Sequence, residues 1–263
     1  MAGDTRPIVT VARSRTLKPL ARRLDRVYII NLPSRPDRLA SIKAELALIG
    51  FDAVPDKIEV PFAPIMDDAQ GWPSKGVLGN FLSHLEILRD ASAKGHEWIM
   101  VLEDDAIFRH LLRDPAYQEQ MIAAVEAYDW TLWYPGHAIA PTDMPQTGPV
   151  APSLAPFVGA HCYCVNGTHI NHLIDYLEST MNRERGHPDG AKMYIDGALN
   201  MYRNRFTDHL SLVSVPNLSM QKGSLSDLGQ RKFYDALPFG RRIASLGRSV
   251  RDEIWCRTGY KVI

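Results

Sequence analysis

The residues best equipped for chemistry stand together at Glu103-Asp104-Asp105, where the apolar run Trp98-Ile99-Met100-Val101-Leu102 ends in three consecutive carboxylates. Adjacent carboxylates repel one another and raise each other's pKa, so such a cluster, left unpaired, calls for a cation. Ligation by oxygen alone suits magnesium or manganese rather than zinc. The bland alternative is a solvated acidic turn after a strand. Arg35 and Arg38 form a second candidate, because they fall in the first turn of a helix, where the macrodipole disfavours cations by roughly 0.3–1 kcal/mol each. A phosphate or diphosphate arriving there explains them, as does a local pair of Arg38 with Asp37 or Glu45. Asp196 is a third. It stands among Tyr194, Ile195, Gly197 and Ala198, apolar and small neighbours that would strengthen a carboxylate as proton acceptor; the competing role is a helix N-cap. Cys162, Cys164, His169 and His172 can in principle hold zinc, but the spacing is unlike a structural zinc site, and buried thiols are the simpler reading.

These groups need elements to hold them. Strong apolar residues over Trp98–Leu102 predict a central strand of a parallel sheet covered on both faces, with the carboxylates at the edge where open α/β sheets bind ligands. Val27-Tyr28-Ile29-Ile30-Asn31-Leu32 predicts the first strand, followed by a helix with Ser34 as N-cap and Gly50 as its close. Pro61 and Pro64 break a second short strand around 57–65. A helix over about 77–94 carries Leu78, Phe81, Leu82, Leu85 and Leu88 on one stripe, with Ser83 and His84 off its centre, and a lone helical histidine reads as a hydrogen-bonded structural residue. Further helices are expected at 115–128, 167–180 and from 195, and strands at 130–134, 158–165 and 210–215. The stretch from Pro135 to Pro156 holds six prolines and two glycines and predicts an irregular loop or lid beside the site.

Composition narrows the class. At 263 residues and 45% hydrophobic, the chain can bury a sizeable α/β core. Thirty basic and thirty acidic side chains balance, so no nucleic-acid partner is expected. Three cysteines, an odd number, favour a reducing compartment, and the cytoplasm is the expected location. The N-terminal stretch has arginines without the apolar centre of a secretory signal, and no run approaches the roughly 18 apolar residues of a membrane span. The expected organisation is a flexible basic arm over 1–24, one domain over 25–230, and a basic amphipathic tail over 231–263 that can touch a membrane surface peripherally.

Taken in order, several of these segments resemble the family 25 glycosyltransferases, the bacterial lipopolysaccharide and procollagen galactosyltransferases. The matching pieces are Val27–Leu32 with Arg35 and Arg38, Gly76 to Ser83-His84, Leu102-Glu103-Asp104-Asp105, Gly159-Ala160-His161 with Tyr163, Ile195-Asp196, and Pro216 to Gln221 with Ser224 and Asp227. The resemblance implies an A-type glycosyltransferase fold, a Rossmann-like, mostly parallel sheet flanked by helices. It also implies a UDP-sugar donor with galactose as the expected sugar, Mn2+ or Mg2+, inversion at the anomeric carbon, and a glycan, lipid-linked or protein-linked acceptor. By the same resemblance Asn31, Leu32, Arg35, Arg38, Ser83, His84, Glu103, Asp104, His161 and Gln221 would bind the nucleotide sugar. Asp105 with Glu103 would hold the metal, and Asp196 would be the catalytic base. One departure bears on the donor: where the family has Gly-Glu-x-Gly-Cys, this chain has Gly76-Val77-Leu78-Gly79-Asn80. The alternatives are a catalytically degenerate relative that binds nucleotide or glycan, and an unrelated metal-dependent phosphoryl-group enzyme.

Overall fold

A computed structural model describes residues 17–222 and 240–259. In chain order the elements are α1 (Pro19–Arg23), β1 (Arg26–Ile30), α2 (Pro36–Leu48), β2 (Ile58–Glu59), α3 (Lys75–Ala93), β3 (Trp98–Glu103), β4 (Ala106–Phe108), α4 (Pro115–Glu126) and β5 (Trp130–Tyr134). They continue with β6 (Val150–Pro152), β7 (Cys162–Asn166), α5 (Ile170–Asn182), α6 (Ile195–Arg205), β8 (Leu210–Ser214), β9 (Ser219–Gln221) and α7 (Gly240–Thr258).

Seven strands form one sheet in the order β2-β1-β3-β7-β5-β8-β6, and β4 pairs with β9 in a small second sheet. Strands β2, β1, β3, β5 and β8 run one way, and β7 and β6 run against them. The sheet is therefore mostly parallel by strand direction and has helices on both faces. Strand alternation divides the side chains between two cores. Tyr28, Ile99, Val101, Tyr163 and Val165 point to the face covered by α3, α5 and α6. Val27, Ile29, Trp98, Met100, Leu102, Cys162 and Cys164 point to the face covered by α1, α2 and α4. That architecture is the α/β arrangement expected from the sequence, with β3 covered on both sides as predicted.

Several expectations need correcting. Residues 19–24 are not part of a flexible arm: Leu20, Ala21 and Leu24 are buried in the core beside α4, an element too short to show helical periodicity. Ser34 does not cap α2, whose first turn follows Arg35 with no side-chain cap. The strand placed at 158–165 begins only at Cys162 and is antiparallel to both neighbours, wedged between β3 and β5. The proline-rich stretch contributes β6 as an edge strand, where Pro152 costs the ladder no essential donor. Ser83 and His84 are buried, because α3 lies between the sheet and the helices α5 and α6.

The arm from residue 1 to 16 and the loop positions Ser224 and Asp227 lie outside the described residues. So do the tail positions before Gly240 and the side chains of 240–248. The described part of α7 packs through Trp255 and Cys256 against Ile107 and Met220. No helix among the described residues is long and apolar enough to cross a membrane.

Buried Gln118 fastens α1 to this framework. Its Oε1 accepts from Leu20 N at 2.9 Å, and its Nε2 donates to the carbonyls of Ile49 and Leu112 at 3.0 and 2.6 Å. Replacing Gln118 by Leu leaves these three backbone groups buried and unpaired, so stability should fall by about 3 kcal/mol in urea unfolding. A loss well under 1 kcal/mol would show that α1 is held by its apolar contacts alone.

Candidate active site

The carboxyl ends of β1 and β3, the N-terminal half of α3 and the end of β9 enclose a cleft of about 310 Å³. Its walls include Leu32, Arg38, Asn80, Ser83, Gln221 and all three carboxylates Glu103, Asp104 and Asp105, and residues 63–66 close the far side.

Each carboxylate has a different environment. Asp104 is held by β1 and α2: Asn31 Nδ2 donates to Oδ2 at 2.7 Å, and Arg38 Nη1 pairs with Oδ1 at 3.0 Å. Burial lifts its pKa, against the opposing pull of Asn31 and Arg38. Glu103 is held by α3 and β9, with Asn80 Nδ2 donating to Oε1 and Gln221 Nε2 to Oε2, both at 3.1 Å. His84 Nε2 lies 3.8 Å from Glu103 Oε1. Burial pushes Glu103 upward, but His84 and the Asn80 amide together hold it below the usual glutamate range. Asp105 is the open member. Its Oδ1 is buried without a hydrogen-bond partner among the described residues, and burial followed by the charge of Glu103 pushes its pKa up to about 7.

Among the described residues no three His, Cys, Asp or Glu side chains form a complete ion site. A hard divalent cation riding on a diphosphate needs fewer: one or two carboxylates, with phosphate oxygens and water supplying the rest. The unpartnered Asp105 oxygen fits that role. Glu103 stands beside it with both oxygens already accepting hydrogen bonds. The zinc alternative fails on placement. Cys162 and Cys164 are buried thiols on the other sheet face, burial pushing Cys162 up to about 12, whereas His169 bonds Asp129 and His172 bonds Tyr202.

The remaining expected residues divide by distance from the cleft. Ser83 lines it while donating to Gly79 O at 2.8 Å. His84 sits behind Glu103, its Nδ1 2.8 Å from Tyr163 Oη. Asn31 is a buried support rather than a wall. Arg35 does not line the cleft and pairs with Asp37 at 3.0 Å, whereas Arg38 turns inward to Asp104 rather than to Asp37 or Glu45. His161 is buried at the same sheet edge, where its backbone carbonyl accepts from Glu103 N at 3.0 Å. Its ring lies so close to Gly136 that a Cβ there would come within 2.5 Å of Nε2. Asp196 lies in the first turn of α6, whose cap position is Tyr194. Its Oδ2 accepts from Gly159 N at 3.2 Å and its Oδ1 from Gly197 N at 2.8 Å. It stands outside the cleft, tied through Gly159 to the loop that carries His161 two residues later.

Sequence reasoning passed over Asn80, Lys75 and the 63–66 wall as site residues. Only Asn80 gave a signal, as a departure from the family pattern. Its amide now proves to hold Glu103, while Val77, the other departure, is buried in the core. Gly79 has a reason of its own: a Cβ would meet Pro64 O at 2.8 Å, so α3 approaches the wall only with glycine there.

The model of glycosyltransferase family 25, a lipopolysaccharide biosynthesis family, matches residues 24–144. The family segment carries β1 to β5, and with them Asn31, Arg38, Asn80 and the carboxylates; His161, Asp196 and Gln221 lie beyond it. No curated protein matches this chain. Among solved structures it is similar to a glycosyltransferase involved in glycosylation of the major capsid of PBCV-1, at 11% identity and TM-score 0.45, covering 76% of this chain and 94% of that one. It is also similar to mannose-1-phosphate geranyltransferase from Thermus thermophilus, at 13% identity and TM-score 0.40, covering 73% of each chain. UDP-glucose pyrophosphorylase, complexed with UDP-glucose, is similar at 12% identity and TM-score 0.38, covering 72% of each chain. These are similarities of chain path alone.

The rim of the site gives a pH prediction. Burial, with the neighbouring His161 and Arg203, drives the pKa of His137 down to about 4 even though its Nε2 donates to Ser214 O at 2.8 Å. The folded state therefore resists a proton that the unfolded chain takes up near the ordinary histidine value of about 6.5, and stability is lost as pH falls from there toward 4, by up to about 3 kcal/mol. His137→Gln should flatten urea midpoints over that interval. An unchanged slope would place the lost protons on other groups.

Proposed function

We propose that this protein is a glycosyltransferase, moving a sugar, galactose, from a UDP-sugar to a hydroxyl of a glycan or glycoconjugate, with Mn2+ or Mg2+ and with inversion at the anomeric carbon. The observation that carries the reading is the Asp105 oxygen, buried and without a partner among the described residues, in the lining of a cleft whose other two carboxylates are already engaged. A buried acidic oxygen left unpaired is costly, and a cation restores the balance. When bound there with a diphosphate, the metal supplies charge neutralisation for the departing nucleotide.

In this reading the chain's own groups prepare the site. Asn31 and Arg38 fix Asp104 in place, and Asn80 and Gln221 do the same for Glu103, so little reorganisation is required when the donor arrives. Glu103 and Asp104 present carboxylate edges to the ribose. Asp196 acts from the acceptor side, taking the hydroxyl proton as the new glycosidic bond forms, because the cleft carboxylates are committed to the donor. The cytoplasm supplies the donor and suits three free, buried cysteines. A lipid-linked acceptor would bring the enzyme peripherally to the inner membrane face.

Asp105→Asn removes a ligand and also relieves repulsion with Glu103 and Asp104. Its melting temperature should hold or rise, while manganese-dependent UDP binding, read by calorimetry, and transfer should both be lost. Transfer near the wild-type rate would overturn the metal assignment. Asp196→Asn can still accept from the Gly159 amide, so the fold should persist with UDP affinity unchanged and turnover reduced about a hundredfold or more. A silent Asn variant would move the base to His84 or His161. UDP binding without any transfer in the wild type would favour the degenerate relative.

A further inference from the structure

The segment from Met66 to Gly76 contributes to two cavities. Its ends line the cleft described above, and its middle forms one wall of a second space of about 770 Å³. Opposite Pro73 in that second space stand Met181, Arg183, Glu184, Arg185 and Lys192. Three cations thus share one concavity with a single acid.

The cations are held without carboxylates. Lys192 Nζ reaches across the cavity to Gln70 O at 2.8 Å. Gln70 itself has a φ of 45°, a left-handed conformation uncommon outside glycine, with its amide tied to Asp68 Oδ1 at 2.8 Å. Arg183 Nη1 donates to Asp189 O at 2.6 Å and its guanidinium lies over the Tyr176 ring at 5.2 Å. Arg185 is exposed. The carboxylate of Asp189, whose backbone carbonyl accepts from Arg183, is engaged by Arg205 at 3.1 Å. Among the described residues none of Arg183, Arg185 and Lys192 forms a salt bridge, and each keeps N–H donors beyond those used. Like charges gathered in a concavity repel, and a group with several acceptor oxygens relieves that repulsion with charge-assisted hydrogen bonds. Pro73 and Met181 add apolar surface of the kind that takes the C–H face of a sugar ring.

Placement says which molecule brings the oxygens. Lys192 precedes Asp196 by four residues, on the chain leading into α6, while the donor cleft lies on the other side of the 66–76 segment. We propose that this second cavity binds a phosphate carried by the acceptor sugar chain, away from the accepting hydroxyl. The inference rests on the reading of Asp196 as the acceptor-side base.

The test is calorimetric titration of glucose 6-phosphate, glucose and inorganic phosphate into the full chain and into the double variant Arg185→Gln/Lys192→Gln, with UDP titrated into both. Both positions are exposed, so folding should be retained, as melting temperature will report. Glucose 6-phosphate should bind at least tenfold more tightly than either glucose or phosphate. The double substitution should weaken it tenfold or more and leave UDP binding unchanged. Equal binding by the variant, or phosphate alone binding as tightly as the sugar phosphate, would overturn the inference. UDP binding without glucose 6-phosphate binding would sink this inference and leave the donor cleft standing; the converse would sink the donor reading and leave the phosphate cavity.

Discussion

Like-charge repulsion among three neighbouring carboxylates at the end of a buried strand governs the architecture around the site. Water cannot screen Glu103, Asp104 and Asp105 fully at the mouth of the sheet, so the fold must bring donors to them. Asn31 comes from the end of β1, Arg38 from α2, Asn80 from α3 and Gln221 from β9. Four separate elements therefore converge on one strand end, and the cleft is the space left between them. Two carboxylates are satisfied and the third retains an unpaired oxygen. His84 Nε2 and both ring nitrogens of His161, beside it, are likewise buried without hydrogen-bond partners among the described residues, so local consistency is relaxed around this site.

The other half of the sheet edge meets the opposite problem, a buried cation with no carboxylate. Arg203 is almost fully inaccessible, donates to the carbonyls of Ser153 and Ala155, and lies over the rings of Phe157 and Tyr134 at 4.4 and 5.3 Å. Carbonyl dipoles and aromatic faces disperse its charge. In return the guanidinium gives partners to a segment that has no ladder of its own between β6 and β7, which meets the requirement that buried backbone groups be paired. Asp196 ties down the far end of the same segment through Gly159. The crossing chain is thus rigid where it passes the site, and His161 enters β7 in a fixed position.

The two cavities follow from this division. Acidic groups with their amide and Arg38 donors line the cleft at β1 and β3, whereas Arg183, Arg185 and Lys192 line the space beside the chain leading into α6. Lys192 bridges to Gln70 across the latter. The segment between them is thin, and Trp72, packed on Phe81 with ring centroids 4.6 Å apart, anchors it to α3.

The sequence alone determined what depends on nearest neighbours along the chain. An unbroken apolar run marked β3 and its burial on both faces, helical spacing marked α3, and three acids in succession marked the chemistry, because side-chain burial, helix pitch and charge repulsion act within a few residues. The family pattern added His161 and Gln221, residues without a strong local signature, and pointed to Asp196, which its apolar and small neighbours had already singled out. Tertiary structure decided which carboxylate stays open and which arginine turns inward. Those outcomes depend on contacts such as Asn31 with Asp104 and Gln221 with Glu103, 73 and 118 residues apart. It also decided that α1 and β6 are part of the fold, since elements this short carry too few residues to show a period and owe their existence to the surfaces they cover. Arg183, Arg185 and Lys192 fall between the two helices expected at 167–180 and from 195; only folding against the 66–76 segment gathers them into a cavity.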